Sequence, residues 1–192
     1  MDVQETEVQT DRILTIPNML SFLRLLGVPL FLWLILVPEA DGWAFVVLAA
    51  SGVTDYLDGT IARATGQISR LGQLLDPTAD KLLIASALIC LVELGRVPAW
   101  AAIVIIGREI AVTGFRAMAS SKGVNIPASA FGKAKMGSES WIIGALVLGP
   151  LYLGKFYIVA KVGLWLVFAL AIISALEYFV RFGPRVISQQ AE

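Results

Sequence analysis

The chain contains no histidine, so no imidazole is available as a metal ligand or as a general base near neutral pH. It has a single cysteine, Cys90, which excludes an internal disulfide and reads as a small apolar residue within a helix. Charge is also scarce. Only 16% of residues are charged against 57% hydrophobic, and 15 basic side chains cancel 15 acidic ones. With no net charge, bulk electrostatics points to no partner, and none is expected among nucleic acids. There is no tandem repeat or low-complexity segment. Residues 1–11 lack both a basic n-region and a small-residue cleavage site, which excludes a removable signal peptide and leaves the first helix as the expected insertion signal.

What remains is apolar. A mean hydropathy of +0.78 over 192 residues implies a polytopic membrane protein. Apolar windows of about twenty residues, the length that spans hydrocarbon, fall near 17–37, 43–62, 74–94, 98–119, 138–154 and 157–180. The expected fold is therefore all-α, with six transmembrane helices. Residues 1–16 are expected as an N-terminal cytoplasmic or interfacial segment, 17–182 as the six-helix membrane domain and 183–192 as a C-terminal tail. The mixed stretch 11–24 predicts an interfacial start, with Pro17 marking a bend.

The basic residues are not evenly distributed. Arg12, Arg63, Arg70, Arg116, Lys122, Lys133, Lys135, Arg181 and Arg185 fall in the N-terminus, alternate loops and the C-terminus. The opposite loops carry Glu39, Asp41, Glu93, Arg96 and Lys155, with no such excess. By the positive-inside rule both termini are cytoplasmic, which predicts a multi-pass protein of the inner (plasma) membrane.

Against this background four carboxylates stand out: Asp55, Asp58, Asp76 and Asp80. In apolar spans they would together cost on the order of 10 kcal/mol if unpaired. Asp55 and Asp58 are spaced i, i+3 and Asp76 and Asp80 i, i+4, so each pair projects from one face of its helix. Facing one another, the pairs make an all-oxygen cage suited to Mg²⁺ or a similar hard cation. Gly59 and Ala62 continue the Asp58 face almost without side chain, leaving a slot for a ligand, and Arg63 adds a fork suited to phosphate. A cation transporter or channel would also explain the acids, but it gives Gly59, Ala62, Arg63 and Gly72 no task. Two helix ends with solvated acids are the plainest alternative, and they too leave the small residues and the Arg unexplained.

A second constellation is basic. Arg108 and Arg116 lie eight residues apart, a little over two turns, which predicts nearly the same face of helix 4. Glu109 is available to neutralise one of them. Lys133 and Lys135 open helix 5 at the cytoplasmic border. The four cations suggest a pocket for a small phosphorylated acceptor; a structural ion pair and ordinary snorkelling are the competing readings.

The pattern D-x2-D-G-x2-A-R-x8-G-x3-D-x3-D, complete from Asp55 to Asp80, resembles the signature of the CDP-alcohol phosphotransferases. The resemblance implies a CDP-diacylglycerol-dependent transferase of phospholipid biosynthesis that uses two Mg²⁺ or Mn²⁺ ions held by Asp55, Asp58, Asp76 and Asp80. It implies nucleotide binding by Asp55, Gly59, Ala62, Arg63 and Gly72, a general-base role for Asp80, CMP as a product, contact with membrane lipids and a homodimer. The helix 4 and helix 5 segments look like the phosphatidylglycerophosphate synthase branch. That branch implies sn-glycerol 3-phosphate as acceptor, bound by Arg108, Arg116, Lys133 and Lys135. Two positions depart from it: Met136 stands where Thr is usual, and Glu139 where Gln is common. The N-terminal third, with Ile16-Pro17-Asn18, Ser21 and Arg24, resembles actinobacterial cardiolipin synthases. Phosphatidylglycerol is therefore the alternative acceptor, with inositol phosphate another within the family.

Overall fold

The computed structural model describes the backbone of residues 16–65, 70–121 and 130–188, and the side chains of residues 19, 22–54, 78–121 and 137–180. Among these residues the chain is helical: α1 (Ile16–Leu36), α2 (Asp41–Thr65), α3 (Arg70–Glu93), α4 (Ala99–Ser121), α5 (Ala130–Leu153) and α6 (Tyr157–Ser188), with one 3₁₀ turn at Gly154–Phe156. Each apolar window of the sequence falls, to within a residue, in one of these helices, with three differences from expectation. Helix α1 runs through Pro17 without the expected bend, because a proline in the first turn gives up an N–H that has no helical partner anyway. Helix α5 begins at Ala130 rather than near 138, and α6 continues to Ser188, into the segment read as a tail. Polar residues end a hydropathy window without ending a helix.

Among the described residues, one stretch, Gly137–Val180, is long and apolar enough by itself to cross a membrane; Phe22–Leu36 and Asp41–Thr54 are shorter apolar runs. Charge interrupts the others, at Asp80 and Lys81 in α3 and at Arg108, Glu109 and Arg116 in α4. The side chains sort as they do in a lipid-embedded protein. Trp141, Phe156 and Val180 are 80%, 75% and 75% exposed, whereas Arg24, Glu139 and Ser174 are buried.

The chain forms two compact units, residues 1–86 and 87–192. In the first, α1 and α2 make an antiparallel hairpin. Its turn is closed by bonds from Val37 N to Leu34 O and Ala40 N to Val37 O (both 3.2 Å), with Glu39 at φ 62°. The seam is regular. Arg24, Val28, Phe31 and Ile35 are buried on α1, and Asp41, Ala44, Leu48 and Ser51 on α2, both with the alternating spacing of four and three that keeps one stripe on its partner. Asp41 stands in the first turn of α2, where the helix dipole favours a carboxylate.

In the second unit α4 and α6 run parallel. Trp100 stacks near Trp165 (5.4 Å), Arg108 meets Ser174, and Phe115 packs on Phe179 (5.3 Å), a nearly constant offset along the two helices. Helix α5 returns antiparallel to α6, with Ile142 filling the space a side chain on Gly163 would need. Two parallel helices with an antiparallel one between them in sequence is the arrangement that alternate crossings produce. Helix α5 is kinked at Gly149 (φ 68°, ψ −176°), next to Pro150. Pro150 has no N–H for the Leu146 carbonyl. Arg96 supplies the missing donor: its Nη1 donates to Leu146 O (3.2 Å) and Val147 O (2.8 Å).

Candidate functional site

Helix α2 is continuous through Asp55 and Asp58, and α3 through Asp76 and Asp80, so the spacings that align each pair on one helix face hold in the structure. The buried α2 stripe of Asp41, Ala44, Leu48 and Ser51 continues, at the same spacing, through backbone positions 55, 58 and 62. By helical period alone, the carboxylate positions fall on the α2 face that carries this stripe. Of the expected metal and nucleotide ligands, Asp80 is described, half-buried beside the buried Ala79 and one turn before Leu83. The side chains of Asp55, Asp58, Gly59, Ala62, Arg63, Gly72 and Asp76 lie outside the described residues, as do those of Lys133 and Lys135. A donor set of four carboxylates without thiol or imidazole fits a hard divalent cation such as Mg²⁺ or Mn²⁺.

The two arginines of α4 have different surroundings, which corrects the reading that they share a face. Eight residues turn a helix about 80° past two full turns. Arg108 falls in the buried stripe Ile105, Arg108, Val112, Phe115, Ala119, while Arg116 is exposed. Arg108 is bound on both sides. Its Nε and Nη2 donate to Ser174 Oγ at 3.1 and 2.7 Å, and its Nη1 pairs with Glu109 Oε2 at 2.8 Å. Ser174 Oγ in turn donates to Ala171 O at 3.1 Å. The structural ion pair weighed from the sequence is therefore present at Arg108. Arg116 stands about 12 Å further along the helix axis. Because α5 is antiparallel to α6, and α6 parallel to α4, the C-terminal part of α4, which bears Arg116, and the N-terminal part of α5, which holds positions 133 and 135, lie toward the same end of the second unit.

Ser174 is a residue that no sequence signal marked, since a lone serine in an apolar helix has many uses. Arg24 could have been found. It is a charge inside an apolar run, and the structure buries it at 3% exposure in the hairpin seam.

Comparison with known proteins finds relatives of this chain. A Streptomyces coelicolor protein named cardiolipin synthase (CMP-forming) is 60% identical over 114 residues, covering 57% of this chain. The chain spans about half of that relative, 53% of its length. Two relatives match over a longer stretch. A Bacillus subtilis CDP-diacylglycerol–glycerol-3-phosphate 3-phosphatidyltransferase is 33% identical over 180 residues, covering 85% of this chain and 93% of its own. A Rickettsia bellii protein of the same name is 30% identical over 168 residues, with the same two coverages of 85% and 93%. A model of one family matches residues 14–173, a span that includes the α1–α2 hairpin, the four aspartates, both α4 arginines and the paired lysines of α5. The chain belongs to the CDP-alcohol phosphatidyltransferase family.

Proposed function

We propose that the protein is a phospholipid-synthesising enzyme that transfers the phosphatidyl group of CDP-diacylglycerol to sn-glycerol 3-phosphate, giving phosphatidylglycerophosphate and CMP. The observation that carries this reading is the near end-to-end match to relatives with that named activity. Asp55, Asp58, Asp76 and Asp80 hold two divalent ions, and Asp55, Gly59, Ala62, Arg63 and Gly72 form the nucleotide site. What two bound divalent cations supply is neutralisation of charge on the attacking and leaving oxygens. The Asp80 carboxylate accepts the proton of the acceptor hydroxyl, whose oxygen bonds to the phosphorus of the phosphatidyl group as the bond to CMP breaks. Gly59 and Ala62 leave room for the cytidine, and Arg63 binds phosphate oxygen with its fork.

Arg116, Lys133 and Lys135 bind the acceptor phosphate. Arg116 is exposed in the C-terminal part of α4, and positions 133 and 135 fall in the N-terminal part of α5, toward the same end of the second unit. Arg108, bound by Ser174 and Glu109, braces α4 against α6. The helices cross an inner membrane six times, with both termini and the site cytoplasmic, in a 17–182 domain flanked by segments 1–16 and 183–192, and the enzyme works as a homodimer. The parallel α4 and α6 and the outward-facing tryptophans support that topology.

The higher identity to the Streptomyces protein favours a second reading, a cardiolipin synthase that takes phosphatidylglycerol as acceptor. One assay separates the two. Purified protein is supplied with labelled CDP-diacylglycerol, Mg²⁺ and either acceptor; product with glycerol 3-phosphate alone supports the first reading, and product with phosphatidylglycerol alone refutes it.

A further inference from the structure

Arg24 is the buried cation of the α1–α2 hairpin. It lies in a run of leucines, yet it does not reach outward: Leu23 and Leu26 face the surroundings, while Arg24 is on the seam with Val28, Phe31 and Ile35. The register of the hairpin shows what stands opposite. A Cβ placed on Gly27 would touch Ser51 Oγ and Val47 Cγ1, each at 3.9 Å, so position 27 is level with the turn 47–51 of α2. In an antiparallel pair, stepping back from 27 to 24 on α1 steps forward three residues from the middle of that turn, to about position 52 of α2, between stripe positions 51 and 55. The long side chain of a helical arginine leans toward its own N-terminus, the direction of 55. The next position of the α2 stripe is 55.

The other carboxylates near this hairpin are poorly placed to meet Arg24. Asp41 is buried at the turn end, about 21 Å from position 55 along the helix, and Glu39 is exposed in the turn. Asp58 lies almost a turn further from Ser51 than Asp55 does.

We propose that Arg24 is a positioning residue for the carboxylate site: it pairs across the hairpin with Asp55 and fixes the orientation in which that carboxylate meets the divalent cation and nucleotide. The inference rests on the reading of Asp55, Asp58, Asp76 and Asp80 as an ion-holding site. A guanidinium is suited to the task, since its rigid fork orients a carboxylate through two parallel bonds and stays charged when buried. Partners that orient ligating carboxylates in this way change metal affinity without touching the metal.

The test measures Mn²⁺ binding by the detergent-solubilised full chain, from the loss of the free-ion electron paramagnetic resonance signal, so it does not depend on turnover. Arg24→Met keeps an unbranched side chain and removes the charge; it should weaken Mn²⁺ binding about 10- to 100-fold. Arg24→Lys should recover part of the loss, because a point charge replaces the fork. The double variant Arg24→Met/Asp55→Asn should bind no more weakly than Asp55→Asn alone, since the two act through one pair. Wild-type affinity in Arg24→Met, or losses that add in the double variant, overturns the proposal. Should Arg24→Met fail to fold, Arg24→Lys and its double with Asp55→Asn give the same comparison, and additive losses there overturn it. Absence of Mn²⁺ binding by the unaltered chain would instead defeat the ion-site reading itself, and this inference with it.

Discussion

Ser174→Ala tests whether Arg108 is a brace within the second unit. The hydroxyl accepts two bonds from the guanidinium, at 3.1 and 2.7 Å, at a site where Ser174 is fully buried and Arg108 nearly so. Alanine is smaller by one oxygen and leaves two N–H groups of a buried cation without their acceptor. Hydrogen bonds to charged groups contribute about 1.5–3 kcal/mol, and two that share one acceptor do not add fully, so a loss of about 3 kcal/mol is expected. For a chain of this length that corresponds to a fall of about 6–12 °C in Tm. The measurement is fluorescence-detected thermal unfolding in detergent, alongside Arg108→Met and the double variant. Removing both partners together should recover part of the loss, because no donor is then orphaned. The reasoning fails if Ser174→Ala unfolds within about 1 °C of the unaltered protein, or if the double variant simply sums the two losses.

Other outcomes follow from the same geometry. Asp80→Asn should lower turnover by about 10²- to 10⁴-fold while CMP still binds with Mg²⁺, since the amide keeps one oxygen ligand but accepts no proton; isothermal calorimetry with CMP and a radiolabel transfer assay separate the two effects. Arg116→Ala should raise the KM for glycerol 3-phosphate about 10- to 100-fold, the loss of one charge-assisted bond, with CMP affinity unchanged and Arg116→Lys intermediate; an unchanged KM excludes Arg116 from the acceptor site. Gly149→Ala places a Cβ 2.9 Å from the Arg96 guanidinium at a backbone φ of 68°. A non-glycine residue at φ 68° and ψ −176°, a region essentially confined to glycine, costs about 1–3 kcal/mol, so Tm should drop by about 2–12 °C, and equal stability would show that the kink relaxes freely.

Much of this protein could be read from its residue order. The absence of histidine and the single cysteine left carboxylates as the candidate metal ligands, the apolar windows located six helices, and fixed spacings aligned two pairs of aspartates. These are local properties: hydrophobic length and helical period act within one segment, and a chain records them directly. The α2 stripe was legible in part, since the buried positions 41, 44, 48 and 51 share one helical interval with the signature positions 55, 58 and 62.

The rest depended on packing. Eight residues between Arg108 and Arg116 looked like a shared face, and an 80° remainder was enough to bury one and expose the other once α6 packed against α4. Ser174 became the partner of Arg108 from 66 positions away, a separation over which spacing carries no information. Arg96, read from sequence as an outside-loop charge, proved to be a donor to the Leu146 carbonyl that Pro150 leaves without one, and to Val147 O at the same kink. The residue order determined which helices form and which acids align within them. Only the tertiary structure decided which cations are held inside and which are left facing out, because a guanidinium's role is set by the acceptors that other helices bring to it.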